Sequence, residues 1–408
     1  MAKPKLRFSQ YTNELRTVVL CDIFKKITRK NSGNFITNVI TNSAKEGLIS
    51  QRKYFEKDVA NKDNTEGYYI IEEGDFVYNP RKSIEAPYGP FGRYDYSDVG
   101  IISPLYICLK LINKNRINSD FLLYYFKSPA WHRYIYANGD TGVRHDRVSI
   151  KDEVLLSMPI YIPNKDEQIK VAQFFKSIDN VIDVIKNDIL LWEEKKKGVM
   201  QKIFSQKVRF KKDDGFDYSK WEEQEIRNLG EFTKGASLSK ADISETGTPF
   251  ILYGELYTTY NEVAYEIKRK TKAIVEDKYY SKIGDVVIPT SGESAEEIST
   301  STCVMKEGVF LAGDLNIFRS DVLDGRIMSY ILNYQVKNKI AKIAQGKSIV
   351  HIQAKELGKI KIQYPADKEE QEKIAEFFST IDEVIEIKKQ KLEIWKNIKK
   401  GLLQQMFV

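Results

Sequence analysis

The sequence predicts an α+β protein built twice: two globular units of short strands and packed helices, each followed by one long helix. Three observations carry that expectation. The stretch Glu167–Phe204, EQIKVAQFFKSIDNVIDVIKNDILLWEEKKKGVMQKIF, returns as Glu370–Phe407, EQEKIAEFFSTIDEVIEIKKQKLEIWKNIKKGLLQQMF, without a gap and with 17 of 38 positions identical. Within each copy apolar residues recur every seven positions along two tracks, the a/d pattern of a coiled-coil seam. Before each copy, strand-like runs and a short apolar helix follow one another in the same order.

Residues 1–162 form the first globule. LRF at Leu6–Phe8 precedes an apolar patch, TVVLCDIF, at Thr17–Phe24. GYYII (Gly67–Ile71), DFVYN (Asp75–Asn79) and GIISPLYICLKLI (Gly100–Ile112) read as strands. FLLYYFKSPAW (Phe121–Trp131) reads as a short buried helix; a polar loop at Asn138–Ser149 and a returning strand at Met158–Pro163 close the unit. Residues 163–205 hold the first long helix, and the basic, turn-rich Ser205–Asp217 leads onward. The second globule, residues 206–364, retraces the first. VRF at Val208–Phe210 answers LRF, Tyr279–Pro289 answers Tyr68–Pro80, and Gly308–Phe318 answers the run from Gly100. Ile327–Val336 stands for the short helix, Gln345–Glu356 for the polar loop and Lys359–Pro365 for the returning strand. Residues 365–408 hold the second long helix.

At about 1.5 Å per residue each long helix extends roughly 57 Å, the length of a spacer. The seam residues expected to pack are Val171, Phe175, Ile178, Ile182, Ile185, Ile189 and Trp192 in the first, and Ile374, Phe378, Ile381, Ile385, Leu392 and Trp395 in the second. Asn164 and Asp367 each precede a glutamate by three residues, a capping-box signal. Lys196 and Lys399 interrupt the seam at matching places. A polar residue there fixes register at a cost in stability; the plainer expectation is that the stems cover apolar surface while the amines reach water. Lys388 stands where the first copy has Ile185, so the copies are not interchangeable. Gly198 and Gly401 either allow a close helix contact or end the long helix.

Bulk properties narrow the classes of function. With 408 residues, 42% of them hydrophobic and 30% charged, the chain has ordinary globular composition and room for two to four cores. A net charge of +7 suits a polyanionic partner. No apolar run has membrane-spanning length, and the start lacks the apolar stretch of a signal peptide. Cys21, Cys108 and Cys303 are far apart and resemble reduced cytosolic thiols, and His132, His145 and His351 are isolated, so neither a disulfide frame nor a metal centre is expected.

Catalytic signatures do not emerge. GKS at Gly346–Ser348 has the tail of a phosphate-binding loop, but Ala341 stands where its upstream glycine belongs. There is no Pro-Pro pair for a DNA methyltransferase motif, no zinc helix and no nucleophile elbow. Glu193 and Lys195 lie on a charged helix face, not in a nuclease constellation. Binding or scaffolding is the role that remains. Contacts to a polyanion are expected in loops: Arg81, Lys82, Tyr88, Arg93 and Tyr94 around NPRKSIEAPYGPFGRYDY, and Arg144, His145 and Arg147 in the polar loop. The second globule has Thr290 and Ser291, then Lys347, Ser348 and His351, at the corresponding places. A structural reading of the same residues stays open, with tyrosines packing locally and Asp146 or Asp152 pairing with the arginines.

EQIKVAQFFKSID and EQEKIAEFFSTID, each after a short strand ending in proline and each opening a long helix, resemble the conserved regions of the specificity subunit of type I restriction–modification enzymes. The resemblance spans essentially the whole chain. It implies two α+β target-recognition domains, 1–162 and 206–364, joined by two long helices that form an antiparallel coiled coil with internal two-fold pseudosymmetry. Each domain would read one half of a split, asymmetric sequence in double-stranded DNA, and the helices would set the gap. It further implies two modification subunits and two restriction subunits as partners. S-adenosylmethionine, ATP and Mg2+ would belong to those partners, leaving this chain without cofactor or catalytic residues, in the cytoplasm. Two alternatives of other classes are a stand-alone DNA-binding regulator dimerising through its heptads, and a coiled-coil scaffold without a DNA role.

Overall fold

The computed structural model describes residues 3–55, 65–140, 146–346 and 349–408. The chain divides into two compact units, Met1–Asn187 with Gln390–Val408, and Asp188–Lys389. Each unit thus holds one globular head and half of each long helix. The division runs through the helices.

In the first unit the strands are β1 (Arg16–Val19), β2 (Phe24–Lys26), β3 (Val39–Ser43), β4 (Gly47–Ser50), β5 (Tyr69–Ile71), β6 (Phe76–Tyr78), β7 (Phe91–Arg93), β8 (Gly100–Ile102), β9 (Ile107–Leu111) and β10 (Pro159–Ile162). They form sheets of order β2-β9-β6-β7 and β4-β3-β8-β5, and a β1-β10 ribbon. The run from Gly100 makes two strands because Pro104 lacks a ladder donor and Tyr106 N–H closes a turn onto the Ser103 carbonyl at 3.1 Å. A helix at Ser119–Lys127 starts where the Asn118 side chain accepts from Phe121 N–H. It buries Phe121, Leu122, Tyr125 and Phe126; Phe126 stacks on Phe91 of the first sheet with ring centroids 3.8 Å apart, and Phe121 and Tyr125 meet Phe407 at 5.4 and 6.0 Å.

The second unit has β11 (Glu222–Glu225), β12 (Glu231–Lys234), β13 (Ile243–Ser244), β14 (Thr248–Ile251), β15 (Val263–Ala264), β16 (Lys270–Thr271), β17 (Asp285–Pro289), β18 (Ser291–Gly292), β19 (Thr302–Val304), β20 (Phe310–Leu311), β21 (Leu315–Arg319), β22 (Val350–His351) and β23 (Lys361–Tyr364). Its sheets run β12-β21-β17-β19-β15 and β13-β16-β14-β20, with ribbons β11-β23 and β18-β22. The shared frame is visible strand by strand. β6 lies between β9 and β7 as β17 lies between β21 and β19, and β3–β8 is a parallel pair as is β14–β20. Even the turn before the central strand repeats: Asp75 accepts from Glu72 N–H and Asp285 from Lys282 N–H, both at 2.8 Å. Gly74 and Gly284 take φ of 88° and 90° there, left-handed backbone that glycine adopts without strain.

The two long helices, Lys165–Phe204 and Lys368–Met406, are unbroken. They run through Gly198 and Gly401, and a Cβ at Gly198 would meet nothing within 4 Å. Neither a close helix contact nor a helix end explains those glycines, contrary to both sequence expectations. Within each unit the halves pair antiparallel. In the first, Phe175 stacks on Phe407 (5.7 Å) and Asp179 pairs with Lys399. In the second, Glu193 pairs with Lys389 (2.8 Å) and Lys196 with Asp382 (2.6 Å). Of the expected seam residues, Val171, Phe175, Ile178, Ile182, Ile185, Ile189, Ile374, Phe378 and Ile385 are buried, while Trp192, Ile381, Leu392 and Trp395 are half-buried.

The repeated Glu-Gln pair ties each helix start to its head. Arg7 donates to both oxygens of Glu167 at 2.7 Å, and Arg209 donates to both of Glu370 at 3.1 and 2.7 Å. Gln168 donates to the Pro163 carbonyl and accepts from Asn118 N–H, while Gln371 donates to the Pro365 carbonyl and accepts from Asp324 N–H. Both accepted bonds come from the residue that caps the head's short helix. The first capping box is therefore only half made, and in the second the Asp367 side chain is spent elsewhere. Asn164 accepts from Glu167 N–H at 2.9 Å, but the glutamate goes to the arginine, and the Asp367 carboxylate accepts from Ser219.

Candidate nucleic-acid interface

In both heads the loop leaving the central strand meets the polar loop that precedes the returning strand. In the first head Val148 N–H donates to the Pro80 carbonyl (2.9 Å), Lys82 N–H donates to the Asp146 carbonyl (2.8 Å), and Arg81 bridges Arg147. In the second, Ile352 N–H donates to the Thr290 carbonyl (3.0 Å) and Ser291 pairs with His351 between β18 and β22. Residue clusters some 60 positions apart in sequence thus become one surface in each head. Gly89 makes this compact in the first. Its φ is 84°, and a Cβ there would lie 2.0 Å from the Asn79 carbonyl oxygen, so the loop folds back onto its own strand.

The individual candidates fare differently. Arg81 is exposed, and Lys82 and Arg147 are half-buried, with Arg147 3.7 Å from Asp146. That local ion pair is the one the structural reading anticipated; Asp152 pairs with Lys26 instead. Tyr88 is half-buried, its ring 4.9 Å from His132 and 6.5 Å from Tyr136. Tyr94 does not belong on the surface at all. It is 0% exposed, in the core with Ile40 and Val77, and its hydroxyl donates to the Asp98 carbonyl at 2.7 Å. Composition placed it among exposed tyrosines, but its side chain falls on the inner side of the sheet. Arg93 is also committed, donating to Asp95 (2.5 Å), Asp120 (2.7 Å) and Ser119 (2.9 Å). Burial pulls its guanidinium down, and the two carboxylates more than offset that, holding it above its ordinary value. Thr290 and Ser291 are half-buried and His351 is exposed. Arg144, His145, Lys347 and Ser348 lie outside the described residues.

Lys196 overturns the snorkelling expectation, and half-buried Lys399 pairs its amine with a carboxylate. Lys196 is 6% exposed and donates to Glu262 at 2.6 Å while pairing with Asp382 at the same distance. Burial lowers its ammonium and the two carboxylates raise it further, so it stays charged, above its usual value. Tyr334 donates to the other oxygen of Glu262. Lys399 pairs with Asp179, which also accepts from Tyr124 O–H at 2.8 Å. The lysine ammonium lies 5.7 Å from the Tyr124 ring centre, a cation–π contact. Sequence reasoning missed these junctions because Asp179, Asp382 and Glu262 look like solvated surface acids. One clue was present: Asp179 and Asp382 repeat at the same offset as the lysines. Also missed was a run in the second head, Lys268-Arg269-Lys270-Thr271-Lys272, whose period-two charge is a strand signal.

Among the described residues no helix is long and apolar enough to cross a membrane, and no group of three or more His, Cys, Asp or Glu is placed to hold a metal ion. The buried Cys108 thiol is pushed up to about 12 by desolvation, which keeps it inert.

A family model described as the type I restriction modification DNA specificity domain matches residues 14–191 and, a second time, 218–394. The chain is 27% identical over 409 residues to the putative type I restriction enzyme MjaX specificity subunit of Methanocaldococcus jannaschii, covering 96% of this chain and 90% of that protein. It is 24% identical over 322 residues to the type I restriction enzyme MjaVIII specificity subunit of the same organism, covering 74% and 72%. Two solved structures share the fold, each at 15% sequence identity. One is a chain from a study of complex assembly and conformational transition in the type I R-M system, with a TM-score of 0.56 over 96% of this chain and 97% of that one. The other is the type I restriction-modification S subunit from M. genitalium, with a TM-score of 0.54 over 100% and 99%.

Proposed function

The chain belongs to the type I restriction–modification DNA specificity family, and on that premise we propose that it selects the DNA target of such an enzyme without performing its chemistry. Each head, residues 1–162 and 206–364, reads one half of a bipartite, asymmetric site in double-stranded DNA. The paired helices, residues 163–205 and 365–408, hold the gap between the halves and dock two modification subunits. Two restriction subunits complete the assembly. Methyl transfer from S-adenosylmethionine, and ATP- and Mg2+-dependent translocation and cleavage, belong to those partners in the cytoplasm.

The joined loop pairs support this reading most directly. The same backbone site recurs in both heads, carrying Arg81, Lys82 and Arg147 in one and Thr290, Ser291 and His351 in the other. Phosphate contacts fix position whereas base edges specify sequence, so a constant frame with differing loops suits two different half-sites. A self-dimerising regulator fits less well, because Val171, Phe175, Ile178 and Ile182 are already packed in the core of the first unit with Leu403 and Phe407. Exchanging residues 1–162 for those of a relative with another target is expected to change one half of the methylated sequence in the assembled complex. A change in both halves would refute head-by-head reading. Inserting four residues near Ile185, about 6 Å of helix, is expected to lengthen the unread gap by about two base pairs.

A further inference from the structure

We propose that the second head grips the DNA backbone with a lysine strip, Lys268, Lys270 and Lys272, that is separate in sequence from its base-reading loops; this rests on the DNA-recognition reading above. The strip is built into the fold. β16 lies between β13 and β14, pairing with both, and Phe250 N–H donates to the Arg269 carbonyl at 3.1 Å. β16 itself is Lys270–Thr271; side chains alternate across a strand, and exposure alternates through the residues on either side of it as well. Arg269 turns to the buried Glu255 at 2.7 Å and Thr271 is buried, while Lys268, Lys270 and Lys272 are exposed. Among the described residues none of the three lysines has an ion-pair partner, although Glu245 and Glu266 are exposed nearby in the sequence.

The spacing and the need both point to phosphates. Alternate residues of a strand lie about 6.7 Å apart, twice the roughly 3.4 Å rise per nucleotide of one DNA strand. A strand lying along the duplex therefore presents charge in step with it. Lysine ammonium groups are compact point charges suited to phosphates and not to bidentate base readout. The joined loops of this head, Thr290, Ser291 and His351, carry no permanent positive charge, and Glu293 is exposed beside them. Apart from Lys347, backbone neutralisation must come from elsewhere on the head. The first head needs no such strip, since Arg81, Lys82 and Arg147 lie at its loops.

The test uses the complex of the full chain with its modification partner, binding a duplex that carries the methylated target across a range of salt concentrations. With Lys268→Gln, Lys270→Gln and Lys272→Gln combined, the slope of log affinity against log salt is expected to fall in magnitude by about 2.7, at about 0.9 per phosphate. The methylated sequence is expected to stay the same. The three Lys→Arg substitutions keep the charge and are expected to restore the slope; failure of arginine to do so would overturn a charge-based role. An unchanged slope in the glutamine variant, with target choice intact, overturns the strip and leaves DNA recognition standing. A wild-type complex that shows no sequence preference overturns both.

Discussion

The two head–helix junctions are made from the same repeated residues, yet they solve different electrostatic problems. In the first unit Lys399 faces one carboxylate, Asp179, and the head contributes a neutral phenol, Tyr124. One ammonium meets one carboxylate, Lys127 lies over the same Tyr124 ring at 5.4 Å, and Lys399 and Asp179 both keep some solvent contact. In the second unit the head contributes Glu262 in addition to Asp382, so one buried ammonium serves two carboxylates, with Tyr334 donating to the surplus one. The 331–335 segment is a π-helical turn after Gly325–Tyr330. Such one-turn irregularities re-aim side chains, here in the segment that delivers Tyr334. The difference teaches that the helices supply a common socket and each head supplies its own key. A buried charge is costly alone and tolerable in company, so the key is also the part that fails hardest when its partner is removed.

That asymmetry is open to direct attack. Lys196→Met takes the ammonium away from two half-buried carboxylates, Glu262 and Asp382, and is expected to destabilise the second unit by about 3–5 kcal/mol. Lys399→Met is expected to cost the first unit only about 1–2 kcal/mol, because Asp179 retains its tyrosine. Hydrogen exchange resolved along the chain reads each unit separately; equal losses would erase the distinction. Next in size, adding Glu262→Gln to Lys196→Met removes the surplus charge and should recover about 2 kcal/mol, a coupling that a double-mutant cycle isolates. If the two substitutions merely add, Glu262 is not the key.

Smaller effects test what the junctions share. Gln168→Ala and Gln371→Ala each remove a clamp between helix start and head cap, and each is expected to cost about 1–2 kcal/mol in its own unit. Here equality is the prediction, and a large disparity in urea midpoints would show that the clamps have diverged. The smallest changes are Gly198→Ala and Gly401→Ala. The helices run through both glycines, so each alanine is expected to stabilise by about 0.8–1 kcal/mol on helix propensity alone. A loss of stability at either would reveal a backbone constraint there.

Much of this molecule follows from local pattern. Heptad spacing implied both long helices, and a repeat at a fixed offset implied two heads on a common plan, because periodicity and duplication need no knowledge of the fold. The loops at Arg81 and Arg147, or Ser291 and His351, were recognisable as polar and turn-rich one at a time. Their meeting was not, since it depends on how sheets some 60 residues apart in sequence close on one another. Nor was the fate of single side chains legible. Tyr94 looked like its exposed neighbour Tyr96 and is core, Arg93 looked available and is held by Asp95 and Asp120, and Lys196 looked like a solvated seam residue and is buried between two acids. Glu167 looked like half of a local cap and answers Arg7, 160 positions away. Short-range periodicity is written into the order of residues, so the sequence by itself determined the rods, their seams and the doubling. The partner of a charge depends on which distant groups share its desolvated space, and that only the tertiary structure decided.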